Sequence, residues 1–327
     1  MTPTFKMTFD GRDITAKIKP HLVSLTLSDN RGRDADDLSF TVEDIEGRVD
    51  LPKAGSKIKV WLGYLETGLF FKGLFVIDEL ESSGGPDHIN VKAQSTDFTA
   101  GIKVKKETFF EDKSVADIVA FIAGENDLKH NIAAGVGAHM MTHRVQTNES
   151  DFNFLTRMAK DVGAYFAIKN ETIIFATEGH SETASGQALP AAAIDRKDTA
   201  PGYRFTERSR ENKFTGAKAA WYNFGLSEKL WEVAGSEDRV KALSPVFSGL
   251  ETARLAAKAE WDRLKRGELS MSITLPVGDP SLIPDQPVTV SGFKPIINAV
   301  PWIIMSVNHT LGGQALATDI ELENKAD

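Results

Sequence analysis

The residues that could carry chemistry in this 327-residue chain are few, and their spacing does not suit it. His139 and His143 are four apart, which on a helix would put two imidazoles on one face. A zinc protease needs Glu directly after the first His, and Met140 stands there. The context, GVGAHMMTHR, is Gly-rich and poorly helical. Gly135-Val136-Gly137 lacks the third glycine of a dinucleotide fingerprint and has no clear strand before it. Asp34, Asp36 and Asp37 are the kind of ligand calcium takes. Leu38 then fills a ligand slot and no glycine makes the turn, so the loop reads as solvated and acidic. No Gly-x-Ser-x-Gly element presents a nucleophile. Among 46 Asp plus Glu, spacing cannot single out a glycosidase pair. The absence of cysteine excludes disulfides, thiol catalysis and cysteine-ligated metal, and suits a reducing cytoplasm. The expectation is no catalytic residue, no metal site and no cofactor.

Charge narrows the partners. A net charge of −8 makes a dedicated nucleic-acid binder a poor reading. Lys103, Lys105 and Lys106 form a basic cluster, either a solvated strand edge or a contact to an acidic partner. Arg204, Arg208 and Arg210 alternate on an expected strand, as edge protection or as an interface stripe. Trp221, Tyr222 and Trp231 read as core rather than interface anchors. No apolar run approaches the roughly 18 residues of a membrane span. The opening MTPTFKMTFDGRDI lacks the apolar stretch of a signal peptide, so a soluble protein made in the cytoplasm is expected.

The elements that position these residues are mainly strands. The length points to two or three domains. Residues 1–100 alternate apolar and polar, as in LVSLTLSD (22–29) and DLSFTVED (37–44), and predict a small β-barrel. Residues 101–180 predict a compact α/β insert. It has a helix after Ser114, a helix from Ser150 to Gly163, and a hairpin turning at Lys169-Asn170-Glu171. Residues 181–202 read as a linker with room for one short strand. Residues 203–327 predict a second barrel, its first strands near 203–234, with an inserted helix at 251–266 stopped by Gly267. The two barrels read as a repeat: Leu38-Ser39 answers Leu269-Ser270, 69–82 answers 298–311, and 89–97 answers 316–324. A β-unit repeated within one chain suggests pseudo-symmetry in a ring.

The segment VQTNESDFNFLTRMAKDVGAYFAIKNETIIFA (145–176) resembles the signature of the phage late control D family, the tail hubs of contractile-tailed phages. It is similar also to the hub-like part of type VI secretion VgrG spike proteins. Glu149, Ser150, Asp151, Phe154, Arg157-Met158, Gly163 and Tyr165-Phe166 carry the likeness. The stretches 256–292 and 302–313 resemble the family's helix, strand and closing hairpin. The resemblance implies a homotrimer with two tube-like β-barrels per subunit, so that six similar barrels face a hexameric tail tube and the threefold axis faces a trimeric spike. Implied partners are other copies of the chain, the tail tube protein, the spike and other baseplate proteins, with no membrane and no specific nucleic acid. The implied location is the host cytoplasm during assembly, then the tail of a phage or tailocin. Type VI spikes continue into a needle, whereas this chain stops at Asp327, as expected of a standalone hub. The alternative reading is a tail-tip peptidoglycan-degrading enzyme.

Overall fold

Alternating segments pair as antiparallel strands because every second side chain is apolar and has one core to enter. The computed structural model describes residues 1–32, 36–44, 47, 53–95, 100–177, 179, 181, 187–208, 214–266 and 268–325. Its first elements are β1 (Pro3–Phe9), β2 (Arg12–Asp13), the single turn α1 (Thr15–Ile18), β3 (Leu22–Asn30), β4 (Asp37–Glu43), β5 (Lys57–Tyr64), β6 (Gly68–Ser83) and β7 (His88–Gln94). The sheet order is β3-β4-β7-β6-β5-β1, with β2 hairpinned onto β1. Met7, Leu27, Leu38, Val60, Phe75 and Val91, one from each of these six strands, meet in a single cluster. A sheet whose strands all share one core must curl around it, giving a small barrel.

The insert follows as β8 (Lys105–Ser114), α2 (Val115–Glu125), β9 (Lys129–Ile132), α3 (Ala134–Gly137), β10 (Met140–Ser150), α4 (Asp151–Asp161), β11 (Ala164–Lys169) and β12 (Thr172–Thr177). Both expected N-caps form. Ser114 Oγ accepts from Asp117 N at 3.1 Å and Ser150 Oγ from Asn153 N at 3.3 Å. The β11–β12 hairpin turns through Asn170 and Glu171, both with positive φ, as a tight two-residue turn requires. β8 and β10 form an antiparallel ribbon that the sequence reading did not foresee. His143 lies on β10 and His139 just before it, so the two share no helix face. Ile118, Ile122, Phe154, Leu155 and Phe175 pack the insert's own core.

The remaining elements are β13 (Ala192–Asp195), β14 (Arg204–Glu207), β15 (Gly216–Asn223), β16 (Glu228–Gly235), β17 (Val240–Phe247), α5 (Leu250–Lys265), β18 (Leu269–Leu275), β19 (Pro287–Ser291), α6 (Pro295–Asn298), β20 (Trp302–Gly312) and β21 (Ala315–Asn324). The second barrel has the order β14-β18-β21-β20-β19-β13, around Ile194, Met271, Ile273, Val290, Trp302 and Ile320. Strand for strand this repeats the first. Facing pairs fix the equivalences: Ile77 faces Ala93 and Leu38, as Ile304 faces Leu322 and Met271, through the shared middle strand. The expected match of Leu38 to Leu269 is therefore two residues out, and Leu38 answers Met271. A slip of two leaves every side chain on its own face, so alternation could not detect it.

Three expectations on the second half are corrected. The linker 181–202 supplies β13, a strand of the barrel. Of residues 203–234 only β14 enters the barrel; β15 and β16 join β17, which was not foreseen, in a separate three-stranded sheet beneath α5. Ala219 on β15 and Ala253, Ala256 and Ala257 on α5 are small enough for helix and sheet to sit close. The core reading of the aromatics holds for Trp221, which packs under α5. Tyr222 and Trp231 point to the other face, 38% and 41% exposed. Gly267, Arg210 and Asp34 lie outside the described residues.

Candidate functional site at the barrel junction

The two barrels are one continuous sheet. β3 pairs antiparallel with β20, from Ser24 opposite Gly312 to Asn30 opposite Ser306. On the half-exposed face of this seam Ser28 Oγ donates to Asn308 Oδ1 at 3.0 Å. On the other side Tyr64 Oη donates to the Gly278 carbonyl at 2.8 Å, and Lys72 Nζ to the Pro280 and Leu282 carbonyls at 3.1 and 3.2 Å. A Cβ at Gly278 would stand 2.6 Å from Thr318 Oγ1, so only glycine lets that loop reach the first barrel. Burial lowers the pKa of Lys72.

A charged cluster locks the insert onto the seam. Lys169, at the end of β11, donates to Asp29 Oδ1 at 2.8 Å, Asp36 Oδ1 at 2.9 Å and the Asn30 carbonyl at 3.1 Å. Burial alone would lower the Lys169 pKa, but the two carboxylates raise it and keep the ammonium charged. Asp36 is pushed up to about 7, first by burial and then by the Asp29 carboxylate beside it. Next to this, Arg31 of the first barrel ion-pairs with Asp285 (3.4 Å) and Glu323 of the second, all three side chains being buried. Removing one partner from such a buried set leaves an uncompensated charge.

The signature residues hold the insert together. The buried Asp151 carboxylate accepts from Lys106 Nζ (2.8 Å), Asn126 Nδ2 (3.0 Å) and Gln146 Nε2 (2.8 Å). Arg157 donates to Glu149 Oε2 at 2.7 Å and to the Val145 carbonyl at 3.0 Å, and lies over the Phe154 ring. Phe154 is fully buried. Gly163 has φ +67° and leaves 3.1 Å for a Cβ against that of Ala259, where α4 meets α5. Of the basic cluster, Lys106 is thus spent inside the insert, while Lys103 and Lys105 are exposed. Arg204 is exposed on β14, the edge strand of the long sheet, and Arg208 is exposed just beyond it. The residues 140 apart that meet at Lys169 and Asp29 had no signal in the sequence, because each is an ordinary charge within its own segment. Among the described residues no group of His, Asp and Glu could hold a metal ion.

Comparison with known proteins bears on the family and the fold. Residues 92–315 match the family described as phage tail baseplate hub (GPD). The probable baseplate hub protein of Escherichia phage 186 is 33% identical, over 99% of this chain and 94% of its own. In fold, a tail protein from Neisseria meningitidis MC58 superposes with a TM-score of 0.71 at 16% identity, covering 99% of this chain and 97% of that one. The c3393 protein of E. coli, a component of the type VI secretion system, gives 0.59 at 12% identity over 94% and 74%. By family match and by identity along its whole length, the chain belongs to the phage tail baseplate hub (GPD) family.

Proposed function

We propose that this structural baseplate hub protein is a symmetry adaptor: a homotrimer whose six barrels form a ring against a hexameric tail tube, with its threefold axis on a trimeric spike. The observation that carries the reading is the β3–β20 seam, which sets two barrels of one topology side by side in a single chain. Three such chains supply six similar sites, so one assembly presents both sixfold and threefold surfaces. The sheet face turned away from both cores supports a channel lining. Ser28, Ser39, Thr41, Ser272, Thr274 and Asp319 lie on it, together with Lys92 opposite Ser39, which pairs with Glu79, and Arg204 opposite Ser272, so the face is polar and of mixed charge. The insert and α5 lie off this sheet and are assigned to the spike and other baseplate proteins. Among the described residues no arrangement of side chains supports a cell-wall-degrading role.

The test is solution mass. Three chains of 35.8 kDa give about 107 kDa by light scattering. A species of two, four or six chains would sink the adaptor reading.

A further inference from the structure

Among the described residues the chain contains one barrel–barrel seam, and its internal repeat supplies the register for a second. In the second barrel, the pairing of β20 with the β19 side ends where Ile304 N donates to the Gln286 carbonyl at 3.0 Å and Asp285 N to the Ile304 carbonyl at 2.9 Å. A one-residue irregularity follows, between Ile304 and Ser306, and the edge thus freed takes β3. The first barrel repeats each step. Ile77 N donates to the Ser56 carbonyl at 3.0 Å and Gly55 N to the Ile77 carbonyl at 2.9 Å. An irregularity between Ile77 and Glu79 follows. The edge freed there, from Glu79 to Ser83, has no strand against it among the described residues. At the far end of the sheet the outer edge of β14, the equivalent of β3, likewise has no strand against it among the described residues.

We propose that these two open edges are complementary halves of one interface between copies of this chain. In it β14 of one subunit pairs antiparallel with the end of β6 of the next, in the register of β3 on β20. The proposal rests on the ring reading above and adds its residues. Leu27 and Phe205 both lie one strand from the equivalent pair Leu38 and Met271. Ser28 therefore answers Thr206, and Ser306 answers Glu79. Carried across, Arg208 stands opposite Glu79 of the partner subunit, Thr206 opposite Glu81, and Arg204 opposite Ser83, diagonal to Glu81. Edge pairing supplies main-chain hydrogen bonds, and side chains select the partner.

Charge supports this assignment independently of topology. The seam within the chain is neutral: Thr26, Ser28 and Asn30 face Thr310, Asn308 and Ser306. At the same places stand Arg204 on β14 and Arg208 just beyond it, and Glu79 and Glu81 on β6, all exposed. A covalently tethered seam needs no steering, whereas a seam between free subunits gains encounter rate and register from opposite charge. Glu79 also pairs with Lys92 at 3.0 Å, an exposed contact that Arg208 can share.

The chain has no cysteine, so engineered pairs report contacts cleanly. Thr206→Cys with Glu81→Cys places thiols where Ser28 and Asn308 touch within the chain. Oxidation is expected to give covalent dimers and trimers on a denaturing gel. Ser28→Cys with Asn308→Cys, the same position inside one chain, should oxidise without a rise in mass. Arg204→Cys with Glu79→Cys, four residues out of register, should stay unlinked. Arg204→Glu with Arg208→Glu should weaken association at least tenfold, and adding Glu79→Arg with Glu81→Arg should restore it. A 107 kDa particle without the 206–81 link, or with the 204–79 link, overturns the register and leaves the ring standing. A chain that stays monomeric at any concentration overturns both.

Discussion

In the N-terminal barrel β1 runs antiparallel to β5, whereas in the C-terminal barrel β13 runs parallel to β19. The order of the six barrel strands is the same in the two, with β2 an addition to the first. The difference shows what the barrel requires of that position. Met7 stands opposite Val60 and Ile194 opposite Val290, so each strand delivers an apolar side chain to the equivalent spot. A strand can do this in either direction, since its side chains alternate regardless of sense. β1 enters from the chain start and β13 from the insert, and each takes the direction its connection allows. The barrels share side-chain placement, neighbour order and the irregularity in the long strand. They differ in entry direction and edge chemistry.

The sharpest test of equivalence is energetic. Phe75 and Trp302 hold the same place, opposite Ile58 and Val288, and both are fully buried. Phe75→Ala and Trp302→Ala are each expected to cost about 3–5 kcal/mol in urea unfolding. Trp302 should lie at the upper end, because its indole Nε1–H also donates to the Ile297 carbonyl at 2.9 Å. A cost below about 1 kcal/mol for either would mean that its barrel is not held by this core.

The repeat was legible because alternation marks strands wherever one face is buried, as in Leu25 and Leu27 or Met271 and Ile273. Its register was not, since Leu269 and Met271 share a face and fit the pattern equally well. The helices after Ser114 and Ser150 were readable from local chemistry alone: a cap, an acidic first turn and apolar spacing. The β17 strand was missed because Ser244-Pro245 interrupts its pattern and most of its side chains stay partly or fully exposed. Arg204 and Arg208 were visible as a stripe. Their counterparts Glu79 and Glu81 became visible only once the two barrels could be laid over each other. The Lys169 cluster joins three distant segments, and no local pattern announces such a meeting.

A second contrast is set by pH. Where the first barrel has exposed Ser82, the second has fully buried His309. Its Nδ1 lies 2.9 Å from Thr318 Oγ1, and Nε2 has no partner among the described residues. Burial, then the nearby Lys72, holds its pKa well below the ordinary 6.5. The unfolded chain therefore takes up this proton first. The stability His309 contributes is complete above pH 6.5 and is lost below it, at about 1.4 kcal/mol per pH unit. Asp36 acts in the opposite sense. Its folded pKa of about 7 exceeds the unfolded 3.8, so its contribution grows as pH falls through 7. Comparing wild type with His309→Gln cancels Asp36, which is common to both. From pH 7 to 5 the variant should gain on wild type by that slope in urea midpoints, and parallel profiles would show that water reaches the imidazole.

The smallest expected effect bears on the seam itself. Ser28→Ala deletes the hydroxyl that donates to Asn308 Oδ1 on a half-exposed face. A neutral hydrogen bond there contributes about 0.5–1.5 kcal/mol, and water can replace it, so the cost should fall at the low end of that range. The main-chain bonds of β3 on β20, the Arg31 ion pairs and the Lys72 contacts remain, so the seam should hold. The particle mass should not change either, because the altered contact lies within one chain. Chemical unfolding and light scattering on the same variant check both points. A fall in mass with stability nearly intact would show that the inner seam sets the shape of the outer one. In that case the two barrels are coupled across the proposed ring, and are more than two copies of one unit.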